Sequence, residues 1–205
     1  KYTIMVHDTY NNTGDYSLTW MRLNNPCATN INCGQALLDS ITTTERTKFY
    51  TFSASANDSV TIRATKTSGS YLQPYLELYA PDSSSLAKAK DRVDKTLTTA
   101  GTYTIVVRDY YSYTGDYALT WQRLNNPCAP NLSCGQIITG SIGTTAITPP
   151  WGFYSFEAQA NDKVTIRATT TSGDLITYLE LYGPDGARLG NAANQIDKTL
   201  NLTGK

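Results

Sequence analysis

A chain of 205 residues has room for two domains of ordinary size. Its 17 basic and 17 acidic side chains cancel, which removes the electrostatic footprint that a nucleic-acid partner or an anionic membrane surface requires. No apolar run approaches the roughly 18 residues that span a bilayer, so membrane insertion is not expected. Charged residues make up only 17% of the chain, while Thr, Ser, Asn and Tyr abound. That palette suits β-strands with polar outer faces and turn-rich connections. Lys1 is not an initiator methionine and no signal peptide is seen, so the chain reads as a processed or excised segment.

In chain order, YTIMVH (2–7) alternates, with Tyr2, Ile4 and Val6 to one face. A turn-rich stretch from Asp8 to Asp15 follows, and DYSLTWMRL (15–23) alternates again through Tyr16, Leu18 and Trp20. The pattern predicts a β-hairpin over 1–24 whose apolar trios need a core from elsewhere. Asn24-Asn25-Pro26 is a short linker, stiffened by the fixed φ of Pro26. Strand signals then come at 34–42, 48–54, 60–65, 74–80, 85–90, 94–99, 102–109 and 116–124, with turns at Asn57-Asp58, Ser68-Gly69, Pro81-Asp82 and Ala100-Gly101. Eight short strands at this spacing predict a complete antiparallel sandwich over 25–125. Its expected inward residues are Tyr50, Phe52, Val60, Ile62, Leu76, Leu78, Leu97, Tyr103, Ile105, Val107, Tyr117, Leu119 and Trp121.

The chain repeats. TGDYSLTWMRLNNPCATNINCGQ (13–35) returns as TGDYALTWQRLNNPCAPNLSCGQ (114–136), with 18 of 23 positions identical at an offset of 101. NDSVTIRAT (57–65) returns at 161–169, PYLELYAPDS (74–83) at 177–186, and an insertion surrounds Pro149-Pro150-Trp151. A period near one hundred residues means domain-sized units in tandem. The second unit, 126–205, ends its match at DKTLNLTGK and lacks counterparts of the last two strands; those counterparts are residues 2–23. Lys205 and Lys1 both align opposite Thr102, as in a window one period long with one residue counted twice, or a processed subunit. The fold class expected is therefore all-β, with two tandem jelly-roll-like sandwich repeats circularly offset from the chain ends.

Loss of the six large side chains of two strands removes on the order of 10 kcal/mol, at about 1.5–3 kcal/mol each. That is comparable to the whole stability of a domain, about 5–15 kcal/mol. The unit needs completion by a further covalent repeat, by strands of another copy, or by this chain's own start. Two stiff junctions of the same sequence, RLNNPC, propagate a superhelix more readily than they close a ring of two. The expected partners are thus copies of the chain itself, head to tail, with Tyr2, Ile4, Val6, Tyr16, Leu18 and Trp20 at the polymer interface.

The four cysteines form two C-x5-C pairs, Cys27/Cys33 and Cys128/Cys134. Zinc favours tighter spacing with further Cys or His ligands, and His7 is the sole histidine. A disulfide within each pair is the expectation, placing the chain outside the reducing cytosol. Such short loops gain rigidity more than global stability.

Several stretches, in order, resemble the bacterial pre-peptidase C-terminal (PPC) domain family: FYTFSASANDSVTIRAT (49–65), PYLELYAPDSSSLA (74–87), LTTAGTYTIVVRD (97–109) and GDYALTW (115–121). The resemblance implies a jelly-roll-like β-sandwich on secreted bacterial proteins, often in tandem. It implies an accessory module of exported enzymes, commonly proteases, with no catalytic residues of its own. The cysteine loop, the lack of an attached enzyme and the offset ends depart from that pattern.

Catalytic chemistry is not expected. One histidine builds no Ser-His-Asp or Cys-His arrangement, and Glu77 and Glu180 occupy equivalent positions in different units. Calcium is the one cofactor the residues suggest: Asp8 and Asp15 flank one loop and Asp109 and Asp116 its repeat, two carboxylates each beside loop carbonyls. Plain strand-end turn chemistry is the competing account. Tyr110, Tyr111, Tyr113 and Tyr117 crowd the second loop and suit either a junction between domains or stacking on a surface glycan. Sequons at Asn11, Asn57, Asn131 and Asn201 do not recur in register and reflect an Asn/Thr-rich chain. The expected function is a non-enzymatic structural subunit of an extracellular head-to-tail fibre or stalk of β-sandwich repeats, joined covalently or by strand complementation. The alternatives are a secreted glycan- or calcium-binding adhesion module and an accessory domain of an exported enzyme.

Overall fold

A computed structural model describes residues 1–10, 12–24, 27–143 and 150–205. Asn11, the expected linker residues Asn25 and Pro26, and Pro149 of the insertion lie outside the described residues. Nine strands run between residues 29 and 123: β1 (Thr29–Asn30), β2 (Ala36–Ile41), β3 (Thr47–Ala54), β4 (Ser59–Lys66), β5 (Pro74–Tyr79), β6 (Ser85–Lys90), β7 (Arg92–Thr96), β8 (Gly101–Asp109) and β9 (Gly115–Arg123). The eight strands expected from alternation are all present. β1 is additional, two residues inside the first cysteine loop that pair in parallel with Tyr50 and Thr51. A bridge that short has no periodicity to read.

The strands form two sheets, ordered β1-β3-β8-β5-β6 and β2-β9-β4-β7. They face each other across one core. All thirteen expected inward residues are buried, and Ile31, Ile41, Leu72 and Val93 join them. The Phe52 ring lies 4.5 Å from Trp121 across the core and 5.4 Å from Tyr103 on its own sheet. This is an all-β sandwich.

β8 and β9 are consecutive in sequence but do not pair with each other. β8 lies between β3 and β5 in one sheet, and β9 between β2 and β4 in the other. Their connection is an arch over the edge of the core, not a hairpin. The hairpin expected at 2–23, by analogy with this pair, is corrected accordingly. Alternation shows which side chains face inward, but two trios facing one core from opposite sheets give the same pattern as two on one sheet. Among the described residues of 1–24 there is no strand at all, and those from Lys1 to Trp20 are exposed.

The remaining strands are β10 (Asn131–Leu132), β11 (Ser155–Phe156), β12 (Lys163–Arg167), β13 (Tyr178–Tyr182), β14 (Arg188–Ala193) and β15 (Gln195–Thr199). They pair only as β10-β11, β12-β15 and β13-β14. By the repeat these correspond to β1-β3, β4-β7 and β5-β6. Removing β8 and β9 from the complete sandwich leaves those same pairs and a lone β2. The counterpart of β2, Ile137 to Ile142, is indeed unpaired, and Ile142 is 50% exposed where Ile41 is 1%. Leu181, Ile196 and Leu200 are buried, with Phe156, Val164, Ile166 and Leu179 half-buried around them. It is half of a core.

Candidate assembly site

The six residues expected at the polymer interface are all solvent-exposed, from Val6 at 43% and Trp20 at 66% to Tyr2 at 100%. Their counterparts Tyr103, Ile105, Val107, Tyr117, Leu119 and Trp121 are at most 3% exposed. In the complete sandwich Trp121 donates its indole N–H to the Ile31 carbonyl at 2.9 Å. Tyr117 shares a hydroxyl–hydroxyl hydrogen bond with Tyr50, which in turn donates to Asp39 at 2.6 Å. Burial pushes both phenols well above their ordinary value, so each stays a neutral hydroxyl inside the core. The second unit holds the receiving half of this arrangement without the inserted half. Tyr154, counterpart of Tyr50, is 47% exposed against 2%.

The loop joining the two exposed segments is nevertheless shaped like its repeat. Asp109 accepts the backbone N–H groups of Tyr111 at 2.6 Å and Tyr113 at 2.7 Å, and its second oxygen accepts that of Gln73 at 2.6 Å. Asp8 accepts the corresponding N–H groups of Tyr10 at 2.6 Å and Asn12 at 2.7 Å. These donors, Asn12 first, hold the Asp8 carboxyl below its usual value. The hydroxyls of Ser40 and Ser68 do the same for Asp116, each at 2.6 Å. Of the two carboxylate pairs offered for calcium, Asp8, Asp109 and Asp116 hold loop hydrogen bonds. Among the described residues no three His, Cys, Asp or Glu side chains converge.

The cysteines pair differently from the expectation. Cys33 is bonded to Cys128, 95 residues away, with 5.8 Å between Cα atoms, while Cys27 and Cys134 are free and exposed. The cause is β9. The Gly34 N–H bonds the Trp121 carbonyl at 2.9 Å, and the Gln122 carboxamide oxygen accepts the Cys128 N–H at 2.9 Å. The end of the last strand thus delivers Cys128 to the start of the sandwich. Short spacing suggested a local loop because it carries no information about a strand returning from the far end of the domain.

The junction is also tied down by polar contacts. Asn125 accepts the Ser59 N–H at 2.9 Å and donates to the Asn57 carbonyl at 2.9 Å. Across the junction Glu180 meets Arg63 and, at 2.7 Å, Arg92; within its own unit it meets Arg188 at 3.6 Å and accepts the Tyr182 hydroxyl at 3.0 Å. No sequence signal marked this cluster, because its members belong to different units. Burial alone would raise the Glu180 carboxyl, but hydrogen bonding to Arg92 and the charge of Arg63 outweigh it and hold it below 4.5. A depressed folded value stabilises docking fully above 4.5, and the contribution is lost as pH falls through the lower value. Glu180→Gln is expected to cost docking about 1–3 kcal/mol. Small-angle scattering should show the wild type expanding below that pH, and the variant expanded already at neutral pH.

The other singled-out residues occupy separate places. Glu77 pairs with Arg108 at 3.0 Å and Lys88 at 3.3 Å, sharing no partner with Glu180 among the described residues. His7 is exposed, with a ring nitrogen 3.0 Å from the Asp8 carbonyl oxygen. Asp58 and Asp162 accept the Ser55 and Gln159 N–H groups at 2.8 Å, as turn residues do. The tyrosines do not seal the junction. Tyr71, Tyr110, Tyr111 and Tyr113 cluster at the arch end of β9, with centroids of 4.7–6.3 Å between successive rings. Cys128 lies beyond the other end, about 30 Å away at ~3.4 Å per residue.

The molecule is thus a disulfide-stapled all-β sandwich joined to a second unit of the same design without its two central strands. No protein-family model matches the chain, and no curated protein matches it. Among solved structures, the pre-peptidase C-terminal domain of a Bacillus anthracis collagenase is similar at 18% identity and TM-score 0.41, over 46% of this chain and 94% of that one. The periplasmic inhibitor of g-type lysozyme from Aeromonas hydrophila is similar at 14% identity and TM-score 0.32, and that from Salmonella Typhimurium at 15% and 0.29. Both cover 46% of this chain and 96% of their own.

Proposed function

We propose that the chain is a non-catalytic structural subunit of an extracellular bacterial fibre. The two central strands missing from residues 126–205 come from the equivalent of residues 1–24 in the next unit, joined covalently or donated by the next copy. One observation carries this: the second unit falls into the pairs left when β8 and β9 are subtracted, and the inward trios of their sequence counterparts, Tyr2, Ile4 and Val6 with Tyr16, Leu18 and Trp20, lie exposed. The donated element enters both sheets at once, so it covers the whole open core and not one raw edge. The Cys33–Cys128 disulfide supports an oxidising setting. Electron microscopy of the purified chain at rising concentration tests it. Filaments repeating every two domains are expected; discrete particles at every concentration contradict it.

The tyrosine cluster favours a second reading, a glycan-binding module. Tyr71, Tyr111 and Tyr113 line a shallow cavity of about 310 Å³ with Lys66 and Gln73, and stay 46–70% exposed. Exposed rings of this kind stack on sugar faces. If they do, Tyr113→Ala should weaken retention on immobilised polysaccharide about tenfold, an effect of about 1.4 kcal/mol. Wild-type chain passing through unretained removes this reading.

A further inference from the structure

The disulfide that closes the complete sandwich has an unformed copy of itself. At the offset of 101, Cys33 corresponds to Cys134 and Cys27 to Cys128, so the bonded pair Cys33–Cys128 maps onto the two free thiols, Cys134 and Cys27. Within one copy these are the residues left over. Between copies joined head to tail they are the equivalent pair. We propose that Cys134 of one copy forms a disulfide with Cys27 of the next, locking each donated arch covalently in place. This rests on the head-to-tail reading above and adds to it a bond that survives denaturation.

Both half-sites already have the geometry of the bonded one. Around Cys33, the Asn32 N–H bonds the Gln35 side-chain oxygen at 3.0 Å; around Cys134, the Ser133 N–H bonds that of Gln136 at 2.9 Å. The following glycines, Gly34 and Gly135, share a left-handed φ of +77°. On the other side, the Arg123 guanidinium lies 3.1 Å from the Cys128 sulfur, and that of Arg22 lies 3.3 Å from the Cys27 sulfur. What the free pair lacks is the strand that brings the halves together. In the complete sandwich the Gly34 N–H takes the Trp121 carbonyl at 2.9 Å. In the assembled fibre the Gly135 N–H takes the Trp20 carbonyl of the next copy, and the thiols meet as the bonded pair does.

The oxidant is a low-molecular-weight disulfide. The Cys134 thiolate attacks it, releasing one thiolate and leaving a mixed disulfide. The Cys27 thiolate then attacks the Cys134 sulfur and expels the second thiolate. Two protein thiols are oxidised, one disulfide is reduced to two thiols, and the two protons pass to them.

The test assembles wild type, Cys27→Ser, Cys134→Ser and an equal mixture of the two variants in a glutathione redox buffer. Each sample is alkylated and run on denaturing gels without reductant, with electron microscopy on the same samples. Wild type is expected to give a ladder of covalent multimers abolished by reductant, each variant alone to run as monomer, and the mixture to stop at dimer. A ladder or dimer in either variant alone overturns the pairing. Filaments that run entirely as monomer on the gel overturn the disulfide while leaving the fibre standing. Absence of both filaments and ladder overturns the two together.

Discussion

Trp20→Ala is expected to leave the free chain as stable as wild type, within about 0.5 kcal/mol, and to raise the concentration needed for assembly by about 10²–10³-fold. The same change at Trp121 is expected to do the reverse. The two tryptophans share the local sequence LTW and differ in where they sit: Trp20 is 66% exposed and Trp121 is 3% exposed. Trp121 packs on Phe52 and satisfies the Ile31 carbonyl, so its loss opens a cavity and orphans an acceptor. Truncation of such a side chain costs about 3–5 kcal/mol. On the proposed assembly Trp20 takes the equivalent place against the counterparts Phe156 and Leu132 of another copy, and the same energy then appears as affinity, tenfold for each ~1.4 kcal/mol. Thermal unfolding of the dilute chain and sedimentation at rising concentration separate the effects. If Trp20→Ala lowers the stability of the dilute chain by several kcal/mol, the residue is already buried within its own molecule.

Cys33→Ser combined with Cys128→Ser is expected to destabilise the complete sandwich by about 4–5 kcal/mol, the chain-entropy value for closing a loop near 100 residues. The bond here spans 95 residues. By the same expression a bond closing a C-x5-C loop is worth about 2.4 kcal/mol, roughly half as much. Denaturant unfolding of the single and double variants together reads which cysteines are joined: Cys33→Ser alone is expected to cost as much as the double variant, because both remove one bond. A double variant that costs about twice the single one contradicts the long-range pairing.

How much of this was legible in the sequence follows from what each signal encodes. Period-two alternation identified the strands and the inward faces from Tyr50 to Trp121, because a half-buried strand leaves that mark along its own length. The repeat told which strands 126–205 lacks. Which sheet β8 and β9 each join was not legible, since an arch and a hairpin place the same trios inward. The cysteine pairing depends on that topology and was misread with it. Nor did any local pattern point to the Glu180, Arg63 and Arg92 cluster, whose members meet only once the two units dock. The carboxylates offered for calcium show how composition leaves the partners of a side chain unread. Asp109 beside a loop has the composition of a ligand, yet its oxygens are taken by the N–H groups of Gln73, Tyr111 and Tyr113.

Imaging the assembled chain by electron cryo-microscopy at side-chain resolution puts the strand donation itself to the test. The account predicts Ile4 and Trp20 inside a sandwich whose other strands are residues 126–205 of a different copy, with Trp20 against Phe156. Finding them inside the sandwich of their own residues 126–205, or packed on another surface altogether, would contradict it.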